Sequence, residues 1–578
     1  MKFLQKYMPR YLRLAVPAWL CLLVEVLVDL SMPTLTAVII NQGLPRGDVG
    51  YILRMGGLML AMALGGSLMG MSRNWLSARA SQDLGTNLRA DLFRKTQAMS
   101  LAAAQRFGSA SLITRLTNDV MQIQNLSFML TRIFIRAPLL LIGGMLMAFI
   151  LNARMALILV AVLPLMAGLI YLRIKRGFPL FQKVQAAIDR VNGVLREYLA
   201  GVRVVKVFNR FDYEAQRFDD ANANLTGLGV TAARSMASIL PLMFILMNGS
   251  VVLVLWLGGF QVNAGSMKVG DIVAFVNYFL QILQSMTMVS WLFTAGVRAK
   301  TSVDRIGEVF AAPQDMPDPE SPLRPLPKGE IRMRDVAFTY PGQAAPVLED
   351  ISFAVAPGQT AAIIGSTGSG KTSLVNLIPR FYDVSAGQVL VDGADVREFS
   401  QNELRARIAV VPQQAVLFSG TVRDNLRWGK PDAGDEELLW AAGIAQAAEF
   451  IARMPQGLDT WIGQGGVNLS GGQKQRMAIA RALVRRPAVL ILDDSTSAVD
   501  METERRIRGG LREACRGMTV VLIAQRIHSV MEADTILVMD GGRIAAQGAH
   551  GELLRASPIY RDIYRSQMGM DTSGKEVV

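Results

Sequence analysis

The chain changes texture part-way along. Up to about residue 300, long apolar runs alternate with polar stretches; beyond it, apolar residues come in short bursts. Six runs dominate the first part: Leu14–Ile40, Met55–Met71, Ile133–Leu151, Met155–Tyr171, Ile239–Gly258 and Ile272–Leu292. Each is close to the ~20 residues a helix needs to cross a bilayer. The connections Asn41–Tyr51, Asn152–Arg154 and Gly259–Asp271 are short and nearly neutral. Ser72–Arg132 and Arg173–Arg234 are long and rich in Arg and Lys. An excess of Lys and Arg marks the cytoplasmic side, so both long connections and both termini are expected there. Their apolar spacing is helical with few breakers, which predicts helices continuing out of the bilayer. A polar break interrupts each, at Phe107-Gly-Ser-Ala-Ser111 and at Phe208-Asn-Arg-Phe-Asp-Tyr-Glu214. Such breaks are either contact points for a soluble domain or ordinary helix–turn–helix tips.

Ala311–Pro327 holds Pro313, Pro317, Pro319, Pro322, Pro325 and Pro327, which predicts a stiff, non-helical linker. The expected division is a membrane domain over 1–310, a linker over 311–328, a second domain of short apolar bursts over 329–570 and a tail over 571–578. Gly329–Tyr340 reads as strands. Thr360-Ala-Ala-Ile-Ile364 reads as a buried strand, Ser373–Ile378 as the opening of a helix, and Val489-Leu-Ile-Leu-Asp493 as another buried strand.

Between the strand and the helix stands Gly365-Ser366-Thr367-Gly368-Ser369-Gly370-Lys371-Thr372, the phosphate-loop pattern in its required context. The glycines let backbone N–H groups close around phosphate oxygens, with Ser373 starting the helix whose positive end helps. Lys371 supplies a charge for the β- and γ-phosphates, and the Thr372 hydroxyl is a candidate Mg²⁺ ligand. Asp493 ends a buried strand, the usual place for an aspartate that holds Mg²⁺. Leu469-Ser470-Gly471-Gly472-Gln473 opens a second helix, with Ser470 as its cap and two glycines leaving amides free for an anion. One nucleotide hardly needs two anion sites in one chain, so this segment is expected to serve a nucleotide bound to another subunit.

Composition sharpens the picture. The 578 residues exceed a single core, 51% are hydrophobic, and the net charge is +13. Mean hydropathy is +0.30. The basic residues sit largely in the long connections, so sidedness explains the charge better than nucleic-acid binding. Met1–Arg13 is basic and aromatic, which suits an amphipathic helix on the membrane surface. A signal peptide fits less well, because the apolar run that follows is too long and carries Glu25 and Asp29. Cys21 and Cys515 give neither a disulfide framework nor metal spacing. Glu25 and Asp29 are four apart and share a helix face inside the bilayer. With Asn248 and Asn277 they are candidates for lining a polar substrate cavity that favours cations; a structural hydrogen bond to another helix is the bland alternative.

With these motifs in this order, the chain resembles the ATP-binding cassette (ABC) exporters, as a half-transporter. The likeness covers nearly the whole chain. It implies a six-helix membrane bundle with long cytoplasmic helical extensions, followed by an α/β P-loop ATPase domain with a helical subdomain. It implies ATP and Mg²⁺ as cofactors. Tyr340 would stack on adenine, Gln413 would be the Q-loop glutamine near Mg²⁺ and the γ-phosphate, and Ser497-Ala-Val-Asp500 would be the D-loop. Phe107–Ser111 and Phe208–Glu214 would lie near the coupling helices. Two such subunits would sandwich ATP between one phosphate loop and the other subunit's Leu469–Gln473.

The chain departs from the family pattern at two candidate catalytic positions. Asp494 stands where the family has glutamate, and Gln525 where it has the switch histidine; His528 and His550 are out of register. Aspartate retreats by about 1.5 Å at ordinary bond lengths. Glutamine bonds a phosphate oxygen but carries neither proton nor charge. The expectation is a site kept for binding and weakened for hydrolysis, in one half of a heterodimeric exporter of the plasma (bacterial inner) membrane. Its partner would be a different chain with intact Glu and His. Import through the same fold, a homodimer, and a membrane-anchored ATP-dependent regulator are the alternatives. Six spanning runs exclude a soluble nucleic-acid-linked ATPase. The 31 methionines fit an adaptable apolar surface or ordinary packing, so drugs (as in a multidrug exporter), lipids and peptides all stay open as cargo.

Overall fold

A computed structural model describes residues 2–313, 315–323, 328–514 and 516–568, apart from some helical side chains near residues 170–178, 239–240 and 287–297. Pro325, Pro327, Cys515 and the 571–578 tail therefore lie outside the described residues. The chain forms two compact units, Met1–Gln97 with Ala110–Ala311, and Ala98–Ser109 with Ala312–Val578.

The first unit is helical throughout. Its rods are Met8–Val38 continuing to Arg46, Val49–Gln97, Ser109–Thr114 continuing to Leu151, Ala153–Val207, Phe211–Ala237 continuing to Asn263, and Val269–Ala311. Among the described residues, five of them are long and apolar enough to cross a membrane, and Ala153–Leu169 is a shorter apolar segment. The expected extensions are there as helix, interrupted only near their tips. The connection expected over Asn152–Arg154 shrinks to Asn152 alone. Its extended backbone ends one helix, and its side chain accepts from the amides of Arg154 and Met155 to cap the next. Wider π-type turns at Ile39–Gly43, Arg115–Asp119 and Leu130–Phe134 left no mark in the apolar spacing. On the Val49–Gln97 rod, Leu53, Leu60, Leu64 and Leu68 stand exposed on one face, the pattern of a helix turned to lipid.

The first polar break is sharp. Helix Leu101–Phe107 ends at Gly108, whose φ of +75° costs a glycine nothing. A second break, which the sequence reading missed, precedes that helix, where Ser100 caps it by accepting from the Ala103 amide. Residues 98–109 thereby fold with the second unit. There Gln105 accepts a hydrogen bond from the Tyr382 hydroxyl at 2.9 Å. The other break comes at Phe208-Asn209-Arg210, with Asn209 left-handed at φ +50°.

The second unit is built on a six-stranded sheet. Its order is Arg543–Gly548, Thr535–Asp540, Thr360–Gly365, Thr519–Ile523, Val489–Asp493 and Ile408–Val411. All neighbours are parallel except the Arg543–Gly548 edge strand. A second, antiparallel sheet contains Leu348–Val355, Ile331–Phe338, Ala386–Val391 and Ala394–Asp395. The parallel strands are apolar on both faces, because a core covers each side. The helical portion around Val422–Ala452 packs into one of those cores together with helix Gly471–Val484. The described part of the proline-rich stretch is not a free spacer. Leu323 pairs with Phe399, and Gln401 bonds the Met316 carbonyl and the Asp318 carboxylate.

Candidate functional site

Ligands of open parallel sheets bind beyond the carboxyl ends of the strands. Three adjacent strands deliver the sequence-predicted residues there. Thr360–Gly365 leads into the phosphate loop, Val489–Asp493 ends on its carboxylate with Asp494 next, and Thr519–Ile523 ends two residues before Gln525. Ile523 and Asp493 are register partners, which brings Gln525 beside Asp494.

The phosphate loop turns through Gly368 and Gly370 at φ +84° and +93°. A Cβ on Gly370 would also come within 2.7 Å of the Leu348 side chain. Ser366 and Ser369 bond within the loop, while Thr367 lies on its outer turn. The Lys371 ammonium donates to the carbonyls of Gly365 and Ser366 at 2.9 and 2.6 Å, so it is held at the loop's centre. Burial pulls its pKa below the ordinary lysine value, while Asp494 and Asp493 pull the other way. The Thr372 hydroxyl lies 3.1 Å from an Asp493 oxygen, a pair of oxygens placed to share one hard cation. Burial raises the Asp493 pKa, opposed by the Thr372 hydrogen bond.

Asp494 carries the site's tightest polar cluster. One carboxylate oxygen accepts from the Gln413 amide at 3.1 Å and from the Gln525 amide at 2.7 Å. Its backbone is left-handed, at φ +47°, and the side chain is buried. Burial pushes its pKa up, against the Gln413 hydrogen bond and the nearby Lys371 charge. Tyr340 is half-buried. Its hydroxyl bonds Ser373 at 2.9 Å, and its ring meets Phe338 and Tyr382 at steep angles.

The second anion segment sits at the surface, with Ser470 and Gly471 exposed. Ser470 caps helix Gly471–Val484 through a reciprocal pair with Gln473, so the Gln473 side chain is committed to the cap. A Cβ on Gly472 would press to 2.9 Å of the Ala498 carbonyl, so glycine there permits close packing against the Ser497–Asp500 loop. That loop is tied to both sites through Ser497 itself and through Gln475 and Arg526, to which the sequence reading gave no role. Gln475 accepts from the Ala498 amide, Ser497 donates to the Asp494 carbonyl, and Arg526 donates to the Ser497 carbonyl. Only Gln475's position on the inner face of its helix signalled this. His550 bonds Tyr560 at 2.7 Å, a structural role.

In the helical unit, Glu25 and Asp29 do not stand as free negative charge. Arg136 bridges both, and Arg73 pairs with Glu25 at 2.9 Å. This ties three helical rods by a partly buried ion-pair group. Asn248 and Asn277 are exposed, and each bonds the carbonyl four residues earlier in its own helix, at 2.9 Å.

A fused helical membrane unit and a parallel-sheet domain with a phosphate loop and a second glycine-rich anion segment define an ATPase-coupled transporter. Comparison with known proteins agrees. The ABC transporter transmembrane region family matches residues 18–286, and the ABC transporter domain family matches residues 348–497. The chain is 39% identical over 576 residues to the uncharacterized ABC transporter ATP-binding protein Rv1273c of Mycobacterium tuberculosis, spanning 99% of both chains. It is 38% identical to the uncharacterized ABC transporter ATP-binding protein YfiB of Bacillus subtilis, over 98% of both. It is 34% identical to an ATP-dependent lipid A-core flippase of Pseudomonas fluorescens, over 89% of this chain and 84% of that one. Its fold matches a bacterial Atm1-family ABC exporter with ATP bound at a TM-score of 0.79, with 26% identity over 96% of this chain and 98% of the other. The protein belongs to the ABC transporters, as an exporter-type half-transporter.

Proposed function

We propose that this chain is one half of a heterodimeric ABC exporter whose own site binds ATP but hydrolyses it poorly. The observation that carries the reading is the Asp494 carboxylate. It is one methylene shorter than glutamate, buried, and held through a single oxygen by the amides of Gln413 and Gln525. A base must reach the attacking water to take its proton, and the shorter side chain draws back from it. A misplacement of about 1 Å costs on the order of 100-fold in rate. Gln525 offers an amide in place of an imidazole, so it steadies charge without moving a proton.

Binding needs none of these. Tyr340 offers an aromatic face to a base, the Gly365–Ser373 loop and Lys371 take phosphates, and Thr372, Gln413 and Asp493 suit Mg²⁺. When bound, the metal would neutralise charge on the β- and γ-phosphates. The exposed Ser470 and Gly471, with the half-buried Gly472, complete a site on a partner subunit, whose own glutamate and histidine carry the turnover. A partner is also called for by apolar surface: Val207, Phe208, Phe211 and Tyr213 crowd one exposed helix tip. The cargo leaves the cytoplasm by alternating access, with the sheet domain and both termini on the cytoplasmic side of a bacterial inner membrane. The lipid A-core flippase relatives favour an amphipathic, lipid-like cargo among the classes left open.

ATPase activity of the purified pair tests this. Asp494→Asn is expected to keep at least half the rate, and Ser470→Arg to abolish it by blocking the productive site. Equal loss in both variants would overturn the reading and favour a homodimer that uses Asp494 as its base.

A further inference from the structure

The last described helix, Pro558–Met568, is sewn into the core through Tyr560, which is fully buried, with Ile563, Tyr564 and Met568 packed beside it. At Gln567 this helix meets the loop that carries Gln525. The Gln567 carboxamide accepts from the Ile527 amide at 2.7 Å and donates to the Gln525 carbonyl at 2.8 Å. Both bonds flank Arg526, so one side chain fixes the backbone on either side of it.

What that backbone presents is the reaction end of the site. The Gln525 side chain holds the Asp494 carboxylate, and the Arg526 guanidinium holds the Ser497 carbonyl at 3.2 Å. Ser497 in turn bonds the Asp494 carbonyl. A loop after a parallel strand has no ladder to fix its direction. Here the ladder ends at Ile523, and the Ala524 amide makes the last bond to the neighbouring strand. Beyond that point the loop's direction rests on contacts from outside the sheet. Glutamine suits the task because one carboxamide both donates and accepts; a carboxylate only accepts, and an apolar side chain does neither.

We propose that Gln567 is a positioning residue for the ATP site: it holds the Gln525–Ile527 loop so that Gln525 meets Asp494 and the nucleotide's terminal phosphate. The C-terminal helix is thus part of the ATPase machinery although it touches no nucleotide. This assignment rests on the ATP site being where the preceding section puts it, and it is independent of whether that site turns over.

The test uses the full-length transporter with its partner, comparing Gln567→Leu and Gln567→Glu with the unaltered chain. The first readout is amide hydrogen exchange across residues 524–530. Gln567→Leu is expected to speed exchange there by about fivefold or more, fivefold being the factor that each of the two lost hydrogen bonds supplies. Gln567→Glu keeps the acceptor for the Ile527 amide but loses the donor to the Gln525 carbonyl, so its rate is expected to fall between the two. The second readout is azido-ATP photolabelling of this chain. Gln567→Leu is expected to shorten retention of prebound azido-ATP by about fivefold or more, by the same argument, and Gln567→Glu to restore part of it. Unchanged exchange in Gln567→Leu overturns the proposal. So does a loss of retention that Gln567→Glu does not restore in part, which would mark a merely structural residue. The Asp494→Asn and Ser470→Arg comparison is read from turnover in other variants, so the two ideas fail separately.

Discussion

At the scale of single residues, Asp494 concentrates the argument. Its left-handed backbone suits aspartate better than most side chains, because a short polar group bonds locally there. It is buried with a raised pKa. A carboxyl whose folded pKa lies above its unfolded one contributes stability below the usual carboxylate range and loses it as pH rises through the folded value. At neutral pH the ionised, buried group is therefore a net cost. Asp494→Asn removes the charge and keeps an oxygen for the Gln413 and Gln525 amides. The expected outcome is a nucleotide-binding-domain melting transition about 2 °C higher at pH 7, the shift that under 1 kcal/mol produces in a domain of this size. The gain should vanish toward about pH 4, near the ordinary carboxylate value. Thermal melts of the ATP-free protein at both pH values check this. A gain that grows on acidification would contradict the sign.

At the scale of elements, the Glu25 group decides what two carboxylates in a membrane rod are for. Spacing alone put Glu25 and Asp29 on one face. It did not show that Arg136 from a second rod would bridge them and Arg73 from a third would join. Removing one member of a buried pair strands the other at a cost of about 3 kcal/mol or more, while replacing a whole pair by apolar groups costs far less. Glu25→Gln is thus expected to lower the yield and melting temperature of the membrane unit, and Glu25→Gln with Arg73→Met to recover much of both. Melting of the purified variants in detergent is the measurement. Full stability in the single variant would show that the pairs hold nothing together. The expectation of a cation-favouring cavity now requires the arginines to release these carboxylates first.

At the scale of the whole molecule, the charge asymmetry of the connections predicts sidedness. In a chain with Cys21 and Cys515 replaced, cysteines at the exposed positions Gly47 and Ala110 should label from opposite sides of the membrane. An impermeant maleimide applied to sealed inside-out and right-side-out vesicles reports this. Labelling of both from one side would overturn the topology.

The sequence by itself determined whatever depends on local pattern. Apolar length specified the membrane rods, because a bilayer demands it of any spanning helix. Short apolar bursts ending in Gly365 and Asp493 specified buried strands, because strands covered on both faces must be apolar throughout. Glycine spacing with Lys371 and Thr372 specified a phosphate site, because that backbone admits few other residues. Only the tertiary structure decided the long-range pairings. Strand order brought Gln525 to Asp494, three helical rods brought Arg73 and Arg136 to Glu25, and Ser100 with Gly108 let residues 98–109 fold with the second unit. Gln567 shows the reason most plainly. In sequence it is one polar residue near the chain's end, 42 positions from Gln525. A side-chain hydrogen bond leaves no periodicity and no spacing rule in the sequence, so only folding reveals which distant backbone it will hold.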